Sequence, residues 1–358
     1  MALSLKNISL RVDGQIHIHD TTLDLAPTGF NILLGTTLAG KTTLMRLMAG
    51  LVQPTGGEIW FNGRNVTGVP VQKRNVSMVY QQFINYPNMN LFENIASPLR
   101  LVGHAAAEIK QRVESVAELL HLTPFLSRNP SELSGGQQQR CAMARALVKD
   151  SDLVLFDEPL ANLDYKLREE LREELPKLFA SRERTVVYAT TEPSEALLLA
   201  GHTATLHEGR ITQFGPTGEI YRMPVDKLTA GVFSDPPINT IRVSKQNDRF
   251  TLSGGTTWEA HGAYRQLSDG DYEFGVRPHH VHPVDGGNDG AIVEGRVQVA
   301  EISGSESMVH FELEGASWVS LAHGVHSFDV GQTARFQIEV EHSMVFSTQG
   351  DLVATMGE

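Results

Sequence analysis

The segment that most constrains the fold is an apolar run, Asn31–Leu34, which leads into a glycine-bounded loop and then into a helical pattern. The loop ends at Thr42, and the apolar spacing of 43–49 is typical of a helix. A strand, loop and helix with this spacing predict a phosphate-binding loop. Gly35 and Gly40 let main-chain N–H groups and the helix N-terminus face the charge of a triphosphate. The residues predicted to contact it are Gly35, Thr36, Thr37, Leu38, Ala39, Gly40, Lys41, Thr42 and Thr43.

A second segment supplies the acids that such a loop requires. An apolar strand, 153–156, ends in Asp157 and Glu158. We expect Asp157 and the Thr42 hydroxyl to hold Mg²⁺, while Lys41 reaches the β- and γ-phosphates. Glu158 is the expected general base that polarises the attacking water. Together the two segments predict a site that binds a nucleoside triphosphate with Mg²⁺ and activates a water against it.

Length and charge limit the classes to which the chain can belong. Its 358 residues exceed one ordinary domain, so two domains are expected. With 42 acidic against 30 basic residues, the formal net charge of −12 argues against nucleic-acid binding. The single cysteine, Cys141, has no partner for a disulfide or a multi-thiolate zinc site, and we expect it to be a buried small residue. The absence of long apolar runs and of an export signal predicts a soluble protein of a reducing compartment.

The charge and the patterning both change near Asp235–Pro237. Residues 236–358 hold 7 basic and 17 acidic residues, a balance of −10, which leaves −2 for 1–235. Upstream, apolar strands alternate with long helical patterns, whereas downstream short alternating segments are separated by Gly, Asp and Asn. We therefore predict an α/β domain over 1–235 and an all-β domain over 236–358.

The most specific string of the chain lies between the loop and the acids. Ser134, Gly135, Gly136 and Gln137 open a helical pattern, and the N–H groups there suit a γ-phosphate. This string resembles the signature motif of the ATP-binding cassette (ABC) family. The resemblance covers 1–235 and implies a P-loop fold with a helical subdomain at about 85–150. It also implies that two cassettes sandwich ATP head to tail, with the signature of one facing the P-loop of the other.

Two further positions match the same family. Gln81 resembles the glutamine that links Mg²⁺ and the attacking water to the membrane partner. Asp164, in the segment 161–164, resembles the loop that crosses the dimer interface. The resemblance implies that the loop Gln81–Pro87 forms a groove for the coupling helix of a membrane subunit. A plain turn ahead of a core helix remains the alternative.

Three positions depart from the family pattern. Thr191 stands where the family has a histidine that reaches the γ-phosphate, and loss of one such donor typically costs about 10²–10³ in rate. Val12 replaces the aromatic residue that stacks on adenine, although His17 and His19 lie nearby. Leu38 stands where a glycine is common. We therefore expect the chain's own P-loop site to hydrolyse ATP slowly.

The C-terminal half has its own resemblance. Gly275–Pro278 and the alternation through Phe346 resemble the small OB-type, TOBE-like barrels attached to carbohydrate and polyol import ATPases, which implies a scaffold or regulatory role. His279, His280 and His282 raise the possibility of a metal site. On a strand only 280 and 282 would share a face, and no cysteine is adjacent, so a solvated loop is the favoured interpretation.

The resemblance implies the ATPase subunit of a bacterial importer for glycerol, another polyol or a sugar. It would be peripheral on the cytoplasmic side of the inner membrane. Its partners would be a second ATPase subunit with a histidine switch, two permeases and, indirectly, a periplasmic solute-binding protein. A homodimeric sugar-importer ATPase and an inactive structural subunit remain alternatives. A DNA-repair or translation cassette would need basic faces or a long coiled-coil insert, and this sequence shows neither. The signature motif excludes a small P-loop kinase or a switch GTPase.

Overall fold

The structure, a computed structural model, describes residues 3–161, 163–180, 184–284 and 291–356. The chain divides into two units, Met1–Thr217 and Gly218–Glu358. In chain order the described elements of the first unit are β1 (Leu3–Val12), β2 (Gln15–Asp24), β3 (Gly29–Leu34), α1 (Lys41–Ala49), β4 (Gly56–Phe61), β5 (Arg64–Asn65), β6 (Val76–Val79), α2 (Leu91–Val102), α3 (Ala106–Leu119), α4 (Gly135–Leu147), β7 (Leu153–Asp157), α5 (Tyr165–Ala180), β8 (Thr185–Thr190), α6 (Pro193–Leu199), β9 (His202–His207) and β10 (Arg210–Pro216).

The central sheet of this unit is built from continuous apolar runs. Its described strands follow the order β10-β9-β3-β8-β7-β6, and all pairs are parallel except β10 with β9. Strands β7 and β8 are buried along their whole length, as expected when a parallel sheet is covered on both faces. Leu34 pairs with Thr190, and Asp157 pairs with Ala189. The register therefore places the segments that follow β3, β7 and β8 at one end of the sheet.

A second, antiparallel sheet has the order β2-β1-β4-β5 among the described strands. Helix α1 connects the two sheets, because Met45 belongs to the same buried cluster as Leu5 of β1 and Leu33 of β3. Burial of this helix face holds the N-terminus of α1, and with it the preceding loop, in a fixed position.

The predicted helical subdomain contains α2, α3 and α4. Helix α2 begins with a capping box, in which the Asn90 side chain accepts from the Glu93 backbone N–H, and ends at Gly103 in a left-handed conformation. Its buried face packs against α4. Within the described part of the chain, no helix has the length and apolar content that crossing a membrane requires.

The second unit is mainly antiparallel β structure, with a core of interlocking aromatic rings such as Phe274, Phe311 and Trp318. Its described strands form two sheets, ordered β13-β12-β11-β14-β20-β21 and β15-β19-β16-β17-β18. From the end of the first unit onward the elements are α7 (Thr217–Arg222), α8 (Lys227–Val232), β11 (Asn239–Gln246), β12 (Arg249–Thr251), β13 (Thr257–Glu259), β14 (Gly270–Val276), β15 (Val281–Pro283), β16 (Ala291–Ile302), β17 (Glu306–Leu313), β18 (Ala316–His323), β19 (Thr333–Ile338), β20 (Met344–Phe346) and β21 (Leu352–Thr355).

The division between the units falls earlier than the boundary that the sequence predicts at 235. Lys227 forms an ion pair with Glu273 at 2.6 Å, and Arg277 donates to the Tyr221 carbonyl at 2.6 Å and lies over its ring. These contacts tie the two short helices to the β structure. Composition cannot reveal them, because each joins residues about fifty positions apart.

Candidate functional site

The loop between β3 and α1 requires glycine at both ends, at Gly40 because of its backbone conformation and at Gly35 because another backbone lies too close. Gly40 precedes α1 with φ of 105°, in the left-handed region. At Gly35 an added Cβ would lie 2.5 Å from the Leu206 carbonyl oxygen of β9. The predicted phosphate-binding loop is therefore pressed against the central sheet, with its last residues forming the first turn of the helix.

Lys41 begins α1 directly after this loop and is only 5% exposed. Its Nζ donates to the carbonyls of Gly35 at 2.8 Å and Thr36 at 3.0 Å, and it lies 3.4 Å from Glu158 Oε1. Burial lowers the pKa of Lys41, while the charges of Glu158 and Asp157 oppose that shift. The ammonium group is thus held within the loop by oxygen atoms, in a position to meet an anion.

Thr42 and Asp157 face each other across the end of the sheet. The Thr42 hydroxyl donates to Asp157 Oδ1 at 3.0 Å. Burial raises the pKa of Asp157, an effect opposed by the Thr42 hydrogen bond and by the charge of Lys41. A hydroxyl and a carboxylate oxygen side by side are the ligand types that Mg²⁺ takes in proteins.

Glu158 is held from three directions. Its Oε2 accepts from Gln81 Nε2 at 3.0 Å, and its Oε1 faces Lys41. Its backbone N–H donates to the Ala189 carbonyl of β8 at 3.0 Å, and its own φ is 47°. The carboxylate is therefore oriented by contacts within the protein, as expected of a preorganised general base.

The predicted residues from Thr37 to Thr43, with Gln81 and Glu158, line an open cleft of about 490 Å³. The cleft also has walls that the sequence interpretation missed. No local motif identifies these residues, because two separate hairpins deliver them. They are Gln15, Ile16, Glu208 and Gly209, and they lie beside His17, which the sequence places near the adenine position.

The β9–β10 turn joins these walls to the loop. Gly209 N–H donates to the Ala39 carbonyl at 2.9 Å, and the Gly209 carbonyl accepts from His19 N–H at 2.9 Å. A Cβ at Gly209 would lie 2.4 Å from the His17 carbonyl oxygen. Val12, the residue predicted to meet adenine, pairs with Gln15 in the β1–β2 hairpin and is absent from the described lining of the cleft.

Thr191 follows β8 directly and is exposed. The preceding residue, Thr190, touches the loop through its carbonyl, which accepts from Gly35 N–H at 3.4 Å. The Thr190 hydroxyl donates to buried Glu195 at 2.6 Å, and the Tyr188 hydroxyl donates to the same oxygen at 3.0 Å. The sequence interpretation did not predict these hydrogen bonds to Glu195, which fix the residue before Thr191.

The signature residues form a helix N-terminus of their own. The Ser134 hydroxyl accepts from Gln137 N–H at 3.3 Å, the Gln137 side chain accepts from Ser134 N–H at 3.0 Å, and Gly135 and Gly136 form the first turn of α4. None of these residues is among the described residues lining the cleft. The cleft at the β3–α1 loop and the signature helix α4 are thus separate surfaces of the same unit.

The Asp164 carboxylate accepts from Leu167 N–H at 3.1 Å and so supports the first turn of α5. Asn162, in the predicted interface loop, lies outside the described residues. Asp164 is likewise absent from the described lining of the cleft that holds Lys41.

The loop Gln81–Pro87 lies beside the helical subdomain. Asn94 of α2 accepts from the Tyr86 N–H at 2.8 Å, and the Arg145 guanidinium donates to the Ile84 carbonyl and lies over the Tyr86 ring. Ile84 is 61% exposed and Leu101 is 88% exposed. The loop and the neighbouring helix α2 therefore both expose apolar side chains.

Comparisons with known proteins agree with this geometry. The ABC transporter profile matches residues 18–161 and the TOBE domain profile matches 274–346. The sn-glycerol-3-phosphate import ATP-binding protein UgpC of Cupriavidus pinatubonensis is 36% identical over 87% of this chain and 88% of its own length. The putative uncharacterized ABC transporter ATP-binding protein YcjV of Escherichia coli K12 is 31% identical over 98% of both chains.

Among solved structures, the ATP-binding cassette MJ0796, in a dimeric post-hydrolysis state bound to ADP and Pi, superimposes with a TM-score of 0.56. It is 26% identical and covers 60% of this chain and 98% of its own. The predicted fold class is confirmed, with an ABC ATPase domain followed by an all-β TOBE domain. The chain therefore belongs to the ABC transporter family, as an ATP-binding ATPase subunit of the carbohydrate-importer type that works with membrane permeases.

Proposed function

We propose that this subunit binds ATP in a weak site of its own and completes a competent site on a second, different ATPase subunit. The observation that carries the proposal is Thr191 at the end of β8. A threonine side chain is shorter than histidine by a ring and carries no positive charge. Loss of one preorganised donor to the transition state costs about 10²–10³ in rate.

Two other features of the chain's own site support slow hydrolysis. The residue at the usual glycine position, Leu38, has φ of 68° and is 94% exposed. Aromatic side chains are absent from the described lining of the cleft apart from the imidazole of His17. Adenine would therefore contact Ile16 and His17 without the large π-face that holds it in other cassettes.

The signature surface, in contrast, is complete. Ser134 caps a helix of 13 residues, and Ser134 and Gly135 at its N-terminus are exposed, where N–H groups suit an anion. In a head-to-tail pair it would face the ATP held by the partner. Asp164 would lie at the same interface. The partner would supply the histidine that this chain lacks, so that one of the two sites hydrolyses at full rate.

Mg²⁺ would accompany the nucleotide in both sites. In this chain Thr42 and Asp157 would hold it, and Gln81 would approach it from the loop that leads to the membrane subunits. The bound ion would neutralise phosphate charge. Lys41 positions the β- and γ-phosphates, and Glu158 accepts a proton from the attacking water.

The imported solute is proposed to be glycerol, a related polyol or phosphopolyol, or a sugar. Support comes from the UgpC relatives, which are named for import of sn-glycerol-3-phosphate. The loop Gln81–Pro87 would receive the coupling helices of two permeases through Ile84 and its apolar neighbours. The subunit would then lie peripherally on the cytoplasmic face of the inner membrane, with a periplasmic binding protein delivering the solute.

The test compares the chain alone with the chain mixed with a second cassette subunit encoded on the same transcript. We expect slow ATP turnover alone and fast turnover in the mixture. Ser134→Arg in this chain should abolish the fast turnover, because it blocks the partner's site. Lys41→Ala should reduce it much less. Brisk, cooperative hydrolysis by this chain alone, lost in Glu158→Gln, would overturn the weak-site proposal.

A homodimeric ATPase is the second candidate. Glu158 is present and is oriented by Gln81 at 3.0 Å, as a competent site requires. In that case the chain alone would dimerise with MgATP and both sites would turn over. An inactive structural subunit would instead bind ATP without any turnover in either arrangement.

A further inference from the structure

Two turns of the second unit bring together side chains that the sequence leaves far apart. His280 ends the turn before β15, and Glu339 and His342 follow β19. His280 Nδ1 lies 2.7 Å from Glu339 Oε2, and His282 Nε2 lies 3.0 Å from Glu339 Oε1. The rings of His280 and His342 stack with centroids 4.3 Å apart.

The backbone holds this arrangement in place. Glu339 N–H donates to the His280 carbonyl at 3.0 Å, and His342 N–H donates to the Glu339 carbonyl at 3.1 Å. Strands β15 and β19 pair directly below, with His282 opposite Gln337. The solvated loop favoured from the sequence is thus wrong. Its histidines meet a carboxylate and another imidazole from a turn nearly sixty residues later.

We propose that His280, Glu339 and His342 form a binding site for a divalent transition-metal ion, of which Zn²⁺ fits best. Each residue offers one ligand atom, and the three atoms all lie within 4.8 Å of one another. Ligands at about 2.0–2.2 Å from a tetrahedral zinc ion lie about 3.3 Å apart, so the imidazoles of His280 and His342 must rotate out of their stacked arrangement to close the site. Two imidazoles and one carboxylate leave a fourth position for water.

The ligand types decide which ion is bound. Imidazole nitrogen suits Zn²⁺, Ni²⁺, Co²⁺ and Cu²⁺, whereas Mg²⁺ and Ca²⁺ prefer oxygen ligands alone. His282 supports the site from outside, because its hydrogen bond to the second oxygen of Glu339 orients that carboxylate. The residues proposed for Mg²⁺, Thr42 and Asp157, belong to the first unit.

The test uses the full chain without an affinity tag, stripped of metal, in equilibrium dialysis with Zn²⁺ and in Co²⁺ absorption titrations. We expect one tight Zn²⁺ per chain, d–d absorption with Co²⁺, and no competition from millimolar Mg²⁺. His342→Ala should weaken binding at least tenfold. His282→Gln should weaken it about 10–100-fold, as loss of a supporting hydrogen bond does.

The matched control is His323→Ala, in the same unit, whose side chain is 93% exposed. It should leave Zn²⁺ binding unchanged. His342 is exposed, and thermal unfolding will establish that its variant folds. Absence of tight Zn²⁺ binding by the parent chain, or equal losses in His342→Ala and His323→Ala, would overturn the proposal.

Discussion

Gln81 Nε2 donates to Glu158 Oε2 at 3.0 Å, which joins the loop Gln81–Pro87, proposed to receive the permeases, directly to the expected general base. The other carboxylate oxygen faces Lys41 at 3.4 Å. A movement of the loop would therefore change the orientation of the Glu158 carboxylate. Under the proposed function, this contact is a physical route by which membrane subunits and ATP hydrolysis would affect each other.

Glu158→Gln should lower single-turnover hydrolysis at this site by about 10²–10⁴, because an amide cannot take the proton of the attacking water. ATP binding should persist, since Lys41 and the loop are unchanged. Quenched-flow phosphate release and nucleotide titration measure the two effects. Glu114→Gln, on the exposed face of α3, is the control and should behave as the parent. Equal rates for Glu158→Gln and the parent would remove Glu158 from the mechanism.

Thr191→His should raise hydrolysis at this site by about 10²–10³, since it restores a donor to the γ-phosphate. Steady-state phosphate release by the purified variant measures the gain. Thr191→Ser keeps the short hydroxyl and should show none. If histidine brings no increase, the slow step lies elsewhere, and Val12 or Leu38 becomes the residue to restore.

Leu38→Gly should stabilise the first unit. The left-handed backbone at φ of 68° costs an L-residue about 1–2 kcal/mol, and glycine avoids this cost. The greater freedom of glycine in the unfolded chain offsets about 0.5–1 kcal/mol of the gain in stability. The free energy of unfolding should rise by about 0.5–1 kcal/mol in denaturant titrations. Leu38→Ala retains the strain and should match the parent. An equal gain in both variants would point to the exposed side chain instead.

Glu195→Ala should be strongly destabilising. This carboxylate is 4% exposed and accepts from Tyr188 and Thr190, with Arg172 at 3.3 Å. Removing one partner of a buried charged group costs about 3–5 kcal/mol. Glu169→Ala is the matched control, because it also pairs with Arg172 but is 42% exposed, and should cost under about 1 kcal/mol. Similar midpoints in thermal unfolding for the two variants would contradict this role for burial.

Cys141 should resist thiol reagents in the folded chain. Burial raises the pKa of this thiol to about 12, so the reactive thiolate is scarce at pH 8. Labelling should be negligible in native buffer and reach one group per chain in denaturant, which mass spectrometry measures directly. Rapid native labelling would mean that α4 opens frequently.

The sequence predicts a nucleotide site where a motif is short, and the structure brings the predicted residues close together. Lys41, Thr42, Asp157 and Glu158 follow apolar strands whose parallel pairing places their carboxyl ends together. Glu195 and the cleft wall at Gly209 are not predicted by the sequence, since neither belongs to a recognisable motif. The predicted domain boundary lies at 235, because the helices after Thr217 carry no charge pattern that assigns them to the β structure.

Local spacing by itself predicted a phosphate-binding loop, a signature helix and a threonine in the switch position. Each of these is encoded within about ten consecutive residues, where steric and hydrogen-bonding preferences act directly. Only the tertiary structure decided that His17 meets Gly209, that Glu195 anchors Thr190, and that His280 meets Glu339. Such contacts depend on strand register and on turns between distant segments, and no short stretch of chain carries that information.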